Sequence, residues 1–488
     1  MKRYGILGLA CLLTFCGGGY ASAQYGEPVA PPENLQTGFD SISAEQAEQW
    51  LNVLAGPTFS GRGTGQDGYI KAAHWVAGKV AEFGLQPVGD GGTFFQMMPI
   101  TTRMPEIEKC YLSGPDGFKL AAEGNLGFQR YTDQGQTNGK IVFVYLTGDE
   151  PRLPADTELR EKIVIFKTDE AASARAPRVI AMSRPAATFR IIEEEPSSTP
   201  QTLFPGRRSR STSISGSISQ AAADELAKAA GVESLKGDDS QVVDTDMDVE
   251  LVLQLREEAA GAPNVVAWLE GSDPELKNEY VVIGSHLDHL GNVSGRLHPG
   301  ADDNGSGSTA VLSIARALAL NPVKPKRSVL FVWFTAEEVG LLGSRYYTQN
   351  PMLPLEDMTC MFNIDMVGRN EDQGEGDSDA DNEGHIHLIG SQRGETPLHD
   401  MILAANEHIG FEFELDMESV WNRSDQVNFY NKGVPVAFLF GGFHPDYHQP
   451  SDTPDKINFK KIASAARLFY LAIFSAAEHG HFEMKTEQ

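Results

Sequence analysis

The chain has 488 residues, of which 41% are hydrophobic, enough for two or three domains and a large core without disulfide support. A formal net charge of −27 argues against nucleic acid or an anionic membrane as a partner, and it favours solubility in an extracytoplasmic compartment. Of four cysteines, Cys11 and Cys16 fall in an N-terminal leader, and Cys110 and Cys360 are open either to pairing or to remaining as buried thiols.

Residues 1–23 have the three parts of a signal peptide: Lys2-Arg3, the apolar run Ile6 to Phe15, and Ala21-Ser22-Ala23. The run is too short to span a bilayer, and Phe15 stands where lipid attachment at Cys16 would want a small residue. The expectation is a periplasmic or secreted protein without a membrane anchor. Ser43-Ala-Glu-Gln46 reads as a capping box opening a helix through Ala55. Ser60 to Gly65 reads as a plain connecting loop. Tyr69, Ala73, Val76, Val80 and Phe83 recur at helical spacing, and Gly84-Leu-Gln-Pro87 ends that helix. Residues 24–108 are therefore assigned to the first part of the main domain.

Between residues 109 and 258 the texture changes to short strand-like runs, Lys140 to Tyr145, Lys162 to Phe166 and Val249 to Leu255, with one helix from Gln220 to Ala230. This predicts a β-rich domain inserted into the main one, with Arg207-Arg208-Ser209-Arg210 on a surface loop. Residues 259–488 resume the main domain, with strands alternating with helices. The strands are expected at 264–268, 280–284, 328–335, 360–364, 385–389 and 434–440, and the helices at 305–320, 340–349, 397–409 and 459–477. The fold class is α/β, a mixed and largely parallel sheet flanked by helices. The acidic, glycine-rich stretch Glu371 to Glu383 reads as a solvated loop, because it lacks the sixth-position glycine and twelfth-position glutamate of a calcium loop.

Four strand ends carry metal-type side chains. Tyr280–Gly284 leads to His286 and Asp288, Ser328–Thr335 to Glu337-Glu338, Cys360–Ile364 to Asp365, and Val434–Phe440 to His444 and His448. A loop after the first of these delivers Asp302-Asp303. In a parallel sheet such ends share one edge, where ligands bind. Carboxylates gathered there would repel unless cations neutralised them. The mixture of imidazole and carboxylate suits zinc. Three carboxylates and two neutral imidazoles balance two divalent ions and one hydroxide.

Five blocks carry a resemblance: His286-Leu-Asp288, Gly300 to Gly307 (G-A-D-D-N-G-S-G), Thr335 to Ser344 (T-A-E-E-V-G-L-L-G-S), Asn363-Ile-Asp365-Met-Val-Gly, and Tyr447-His448-Gln-Pro-Ser-Asp452-Thr. In this order they resemble the secreted di-zinc aminopeptidases, including the leucine-type enzymes of Vibrio and Streptomyces and the larger glutamate-carboxypeptidase-like relatives. The resemblance implies Zn2+, two per chain, with Asp303 bridging, His286 and Asp365 on one ion, and Glu338 and His448 on the other. It also implies Glu337 as general base, Asp288 orienting His286 through its free N–H, and Tyr447 steadying the tetrahedral intermediate. Asn422 to Gln426 resembles a substrate-pocket motif, which places Arg423 and Asp425 at the substrate. Residues 109–258 loosely resemble an inserted protease-associated domain. His289, where relatives often carry a small polar residue, and His444 are spare imidazoles expected outside the metal shells.

The function implied is removal of N-terminal amino acids from peptides by attack of a metal-bridging hydroxide. A carboxypeptidase using Arg423 for a terminal carboxylate is an alternative. So is a single-zinc, glutaminyl-cyclase-like transferase, which the presence of both Asp303 and Asp365 disfavours. A relative that had lost its ligands would be a binding module, but all five ligand positions are filled here.

Overall fold

The computed structural model describes residues 28–132, 135–205, 213–232, 239–293, 296–372, 383–415, 417–482 and 484. The leader and the arginine cluster at 207–210 lie outside these residues. Helix α1, Ala44–Leu54, starts as its capping box requires, with Ser43 Oγ accepting the Gln46 N–H at 3.2 Å. Helix α2, Asp67–Glu82, buries Tyr69, Ala73, Val76 and Val80 along one stripe.

The chain then enters β1, Phe95–Pro105, and returns along β2, Leu255–Leu269. These strands pair antiparallel from Val265↔Phe95 to Leu255↔Pro105. Between them, residues 111–252 contribute a separate eight-stranded sheet with its own apolar cores. This sheet leaves and rejoins the main one at neighbouring points of the β1–β2 ribbon. From this region, Gln201–Leu203 pairs with Thr101–Arg103 of β1.

The main sheet continues through β3 (Tyr280–His286), helix α3 (Gly307–Leu320), β4 (Ser328–Phe334), α4 (Leu342–Gln349) and β5 (Met358–Asp365). It ends with β6 (His385–Ile389), α5 (Leu398–Asn406), β7 (Glu412–Glu414), α6 (Gln426–Tyr430), β8 (Val436–Phe440) and α7 (Phe459–Glu478). The spatial order is β7-β6-β8-β5-β3-β4-β2-β1. The four middle strands, β8, β5, β3 and β4, are parallel, while β6 runs antiparallel to β8 and β2 antiparallel to β4. Each parallel strand is apolar on both faces because helices such as α3 and α7 pack on one side and α4 and α6 on the other. Their carboxyl ends therefore come together at one edge. Cys110 and Cys360 are buried and unpaired, Cys360 in β5 and Cys110 in the apolar core of the second sheet. Among the described residues, no helix is long and apolar enough to cross a membrane.

Candidate active site

His286 is the last residue of β3, and its ring is fixed from behind. Nδ1 lies 3.0 Å from the main-chain carbonyl of Asp288, an acceptor only, so Nδ1 carries the proton. In the neutral ring Nε2 is then a lone pair, and it faces Asp365 Oδ1 at 3.1 Å and Asp303 Oδ1 at 3.4 Å. A lone pair facing two carboxylates in this way is the arrangement that a cation between them would satisfy. The second half of the site repeats the pattern. His448 Nε2 lies 3.0 Å from Asp303 Oδ2 and 3.1 Å from Glu338 Oε2.

Asp303 is the hinge of this arrangement, since its two oxygens serve two different donor groups. Its loop is held rigidly. Asp452 accepts the N–H groups of Asp302 at 3.0 Å and Asp303 at 3.2 Å, and Asn304 Nδ2 donates to Ile364 O at 2.9 Å. Gly300, at φ +61°, is needed where the loop passes His289, because a Cβ would overlap that ring. Neighbouring donor atoms are 3.0–3.4 Å apart in both groups. That is close to the edge, about 3.3 Å, of a tetrahedron with zinc-like bonds of about 2.0 Å. The residues fit a pair of divalent ions of that size and preference.

Electrostatics agree. Burial opposes charge on His448, yet Asp303 and Glu338 raise its imidazole to about 10. Burial would raise Asp303, but His289, His286 and His448 hold it well below the ordinary carboxylate range. The pocket recruits positive charge. Glu337 is different: burial first, then Asp365, Glu338 and Asp425, push its carboxyl well above the usual range, with His286 opposing. Its Oε2 stands 4.0 Å from His286 Nε2, beside the donor groups and outside them.

Two expectations need correction. The Asp288 carboxylate is 4.0 Å from His286 Nδ1, so it is the Asp288 main-chain carbonyl that orients the ring. The carboxylate instead accepts from Thr64 Oγ1 at 2.8 Å and from the Glu337 N–H at 3.1 Å, tying the β3 and β4 loops together. Asp425, expected at the substrate, is completely buried and off the pocket wall, and burial pushes its carboxyl up to about 7. Its neighbours do reach the site. Arg423 lines the pocket, and Ser424 Oγ donates to Asp365 Oδ2 at 2.7 Å.

Of the spare imidazoles, His444 contacts Asp302, at 3.2 Å, and none of the five clustered donors. His289 comes closer than expected, with Nδ1 2.7 Å from Glu338 Oε1 and 3.7 Å from Asp303 Oδ2, where it supports the far oxygen of Glu338. The sequence reading missed Arg62 and Thr64, both in the segment read as a plain loop. Arg62 is fully buried and donates to the carbonyls of Leu54, Leu287, Pro299 and Gly300 at 2.7–2.9 Å. No local signal distinguishes such an arginine from a surface one.

The pocket facing the donors has an apolar wall of Met366, Val420, Phe438, Phe440 and Phe443, with Tyr447 and Arg423 at its rim. Tyr447 stacks on His448 with ring centroids 3.9 Å apart, and Arg423 Nη2 donates to its hydroxyl at 3.2 Å.

Residues 264–473, which hold every one of these donors, match the family model described as peptidase family M28. This segment is similar to peptidase family M28. Leupeptin-inactivating enzyme 1 of Streptomyces exfoliatus is 33% identical over 180 residues, 37% of this chain and 36% of that protein. A probable leucine aminopeptidase of Arthroderma benhamiae is 27% identical over 291 residues, 54% of this chain and 76% of that one. The chain thus spans about a third of the first relative and three quarters of the second. Beyond the segment that matches this family, the fold as a whole is similar to that of BSAP, a zinc aminopeptidase from Bacillus subtilis. The TM-score is 0.52 at 18% identity, covering 89% of this chain and 95% of that one, which is agreement in fold.

Proposed function

We propose that the protein is a zinc-dependent aminopeptidase, exported from the cytoplasm, that removes apolar residues from the N-termini of peptides. The observation that carries this is Asp303, whose two oxygens face two separate sets of imidazole and carboxylate donors. The names of the relatives, two of them aminopeptidases and one of these a zinc enzyme, support it. The pattern of residues 1–23 supports export.

His286, Asp303 and Asp365 would hold one ion, and Asp303, Glu338 and His448 the other. Bound there, divalent ions polarise a peptide carbonyl and acidify water. Glu337 has the properties of the proton carrier: it lies beside the donors, is not needed as one, and has a raised proton affinity. It would take a proton from water and pass it to the departing amine. Tyr447 is set up as a hydrogen-bond donor. Its oxygen already accepts from Arg423, so its own proton is free to point into the pocket. Burial, with Asp303 and Glu338 nearby, keeps that phenol protonated. The substrate's free ammonium suits the carboxylate-rich end of the pocket and its side chain the apolar wall.

The test is turnover of aminoacyl-nitroanilides beside N-acetylated peptides, with and without exhaustive chelation. Chelator-sensitive release from the free-amine substrates alone is expected. Cleavage of the acetylated peptides from their C-termini would overturn the aminopeptidase reading in favour of a carboxypeptidase. Full activity in metal-free protein would overturn the metal reading.

A further inference from the structure

A second cluster lies away from these donors, on β6 and the edge strand β7. These strands are parallel, with His385 opposite Glu412 and His387 opposite Glu414. Ile386, Leu388 and Phe413 point to the helix-covered core, so the period-2 alternation sends both histidines and both glutamates to the other face. Glu371, just beyond β5, reaches the same place. Its approach depends on Gly442 (φ +96°), where a Cβ would collide with the Glu371 side chain.

His387 Nε2 lies 3.3 Å from Glu371 Oε2 and 3.2 Å from Glu414 Oε2. One ring nitrogen thus faces two carboxylates, although a single N–H points well at only one acceptor. These separations equal the donor spacings of the Asp303 centre, 3.0–3.4 Å, and the same tetrahedral edge of about 3.3 Å. The other oxygen of Glu414 is held by His385 Nδ1 at 2.8 Å, the outer contact that commonly orients a metal-binding carboxylate. The His387 side chain is 2% exposed and Glu371 12%, whereas Glu414 is 28% exposed, leaving an open side for water.

We propose that Glu371, His387 and Glu414 form a further divalent-metal site of the zinc class, separate from the one around Asp303. An imidazole with two carboxylates suits zinc or a neighbouring transition ion better than calcium or magnesium, which take oxygen donors. The site has a structural role. The His387 ring lies 5.9 Å from that of Phe440 in the pocket wall, and the Asp372 N–H donates to Phe443 O at 2.9 Å. An ion here pins an edge strand and the end of the β5 loop directly behind the substrate pocket.

The proposal stands independently of the aminopeptidase reading, and its test is built to keep the two apart. In the full chain, Asp303→Asn with Glu338→Gln disables the centre around Asp303. After zinc loading and gel filtration this protein should retain about one zinc per chain. Adding His387→Asn and Glu414→Gln should remove it. Absence of zinc from the first protein, or persistence of its zinc in the second, overturns the site. Should the fourfold variant fail to fold, crystals of the first protein grown with zinc decide: an anomalous peak among Glu371, His387 and Glu414 is expected, and its absence there refutes the proposal.

Discussion

Thr64 and Asp288 are 224 positions apart in the chain, yet the Thr64 hydroxyl donates to the Asp288 carboxylate at 2.8 Å. The same hydroxyl accepts the N–H of Ala336 at 3.2 Å, and Asp288 accepts that of Glu337. One hydroxyl therefore sets the position of the turn that carries Glu337 and Glu338. Thr64→Val keeps the shape and deletes both bonds. The loss should be about 1–3 kcal/mol in urea denaturation, with a larger fall in kcat than in KM. Unchanged kcat would show that the turn holds its place without Thr64.

Arg62 is the largest polar investment near the site. Burial lowers its guanidinium to about 10, so it stays charged at neutral pH, and its donors fill four main-chain carbonyls. Arg62→Met leaves those buried acceptors without partners. A destabilisation of at least about 3 kcal/mol is expected, read as a lowered Tm and urea midpoint. A change below about 1 kcal/mol would mean that water replaces the guanidinium.

Adjacent Glu337 and Glu338 should respond oppositely to mutation. Glu338 sits between His289 and His448, so Glu338→Ala should reduce metal content, and activity with it. Glu337→Gln keeps size but cannot carry the proton. Its metal content should match wild type while kcat falls by roughly 10²–10⁴ with little change in KM. Elemental analysis of both variants decides, and the reverse pattern of metal loss would exchange the two roles.

The apolar wall of Val420, Phe438, Phe440 and Phe443 should set side-chain preference. Burying a leucine there contributes about 1.5–3 kcal/mol, so leucyl-nitroanilide should exceed the glycyl compound by roughly 10–100-fold in kcat/KM. Val420→Asp should compress that ratio. Equal rates for both substrates in the wild type would place the side chain elsewhere.

The inserted sheet should be separable from the chemistry. The β1–β2 ribbon remains paired up to Pro105 and Leu255, and the Glu106 N–H donates to Gln254 O at 2.8 Å. Replacing residues 106–254 by Asn-Gly would close that ribbon as a hairpin. The shortened chain should fold, keep kcat on an aminoacyl-nitroanilide, and show a raised KM for long peptides. Identical KM values for both substrate lengths would assign the insert some other task.

Sequence by itself determined the α/β class and the apolar runs whose ends carry the donors. Its apolar runs mark the parallel strands, and in this fold His286 and Asp365 end two of those runs, with Glu338 and His448 on the loops that follow two others, where topology brings them together. Helix limits were equally legible, because the Ser43 cap and the stripe from Tyr69 to Val80 are local signals. Tertiary structure alone decided the rest. Asp425 and Arg423 are two residues apart, yet packing buries one and presents the other to the pocket. Asp288 turns its carboxylate to Thr64 and leaves its carbonyl to His286, a choice made by distant backbone. The three-residue strand Glu412–Glu414 is too short to show a period, yet pairing with β6 places Glu414 against His387. Periodicity and caps act over a few residues and survive in the sequence. Partners hundreds of positions apart depend on register and packing, which exist only once the chain has folded.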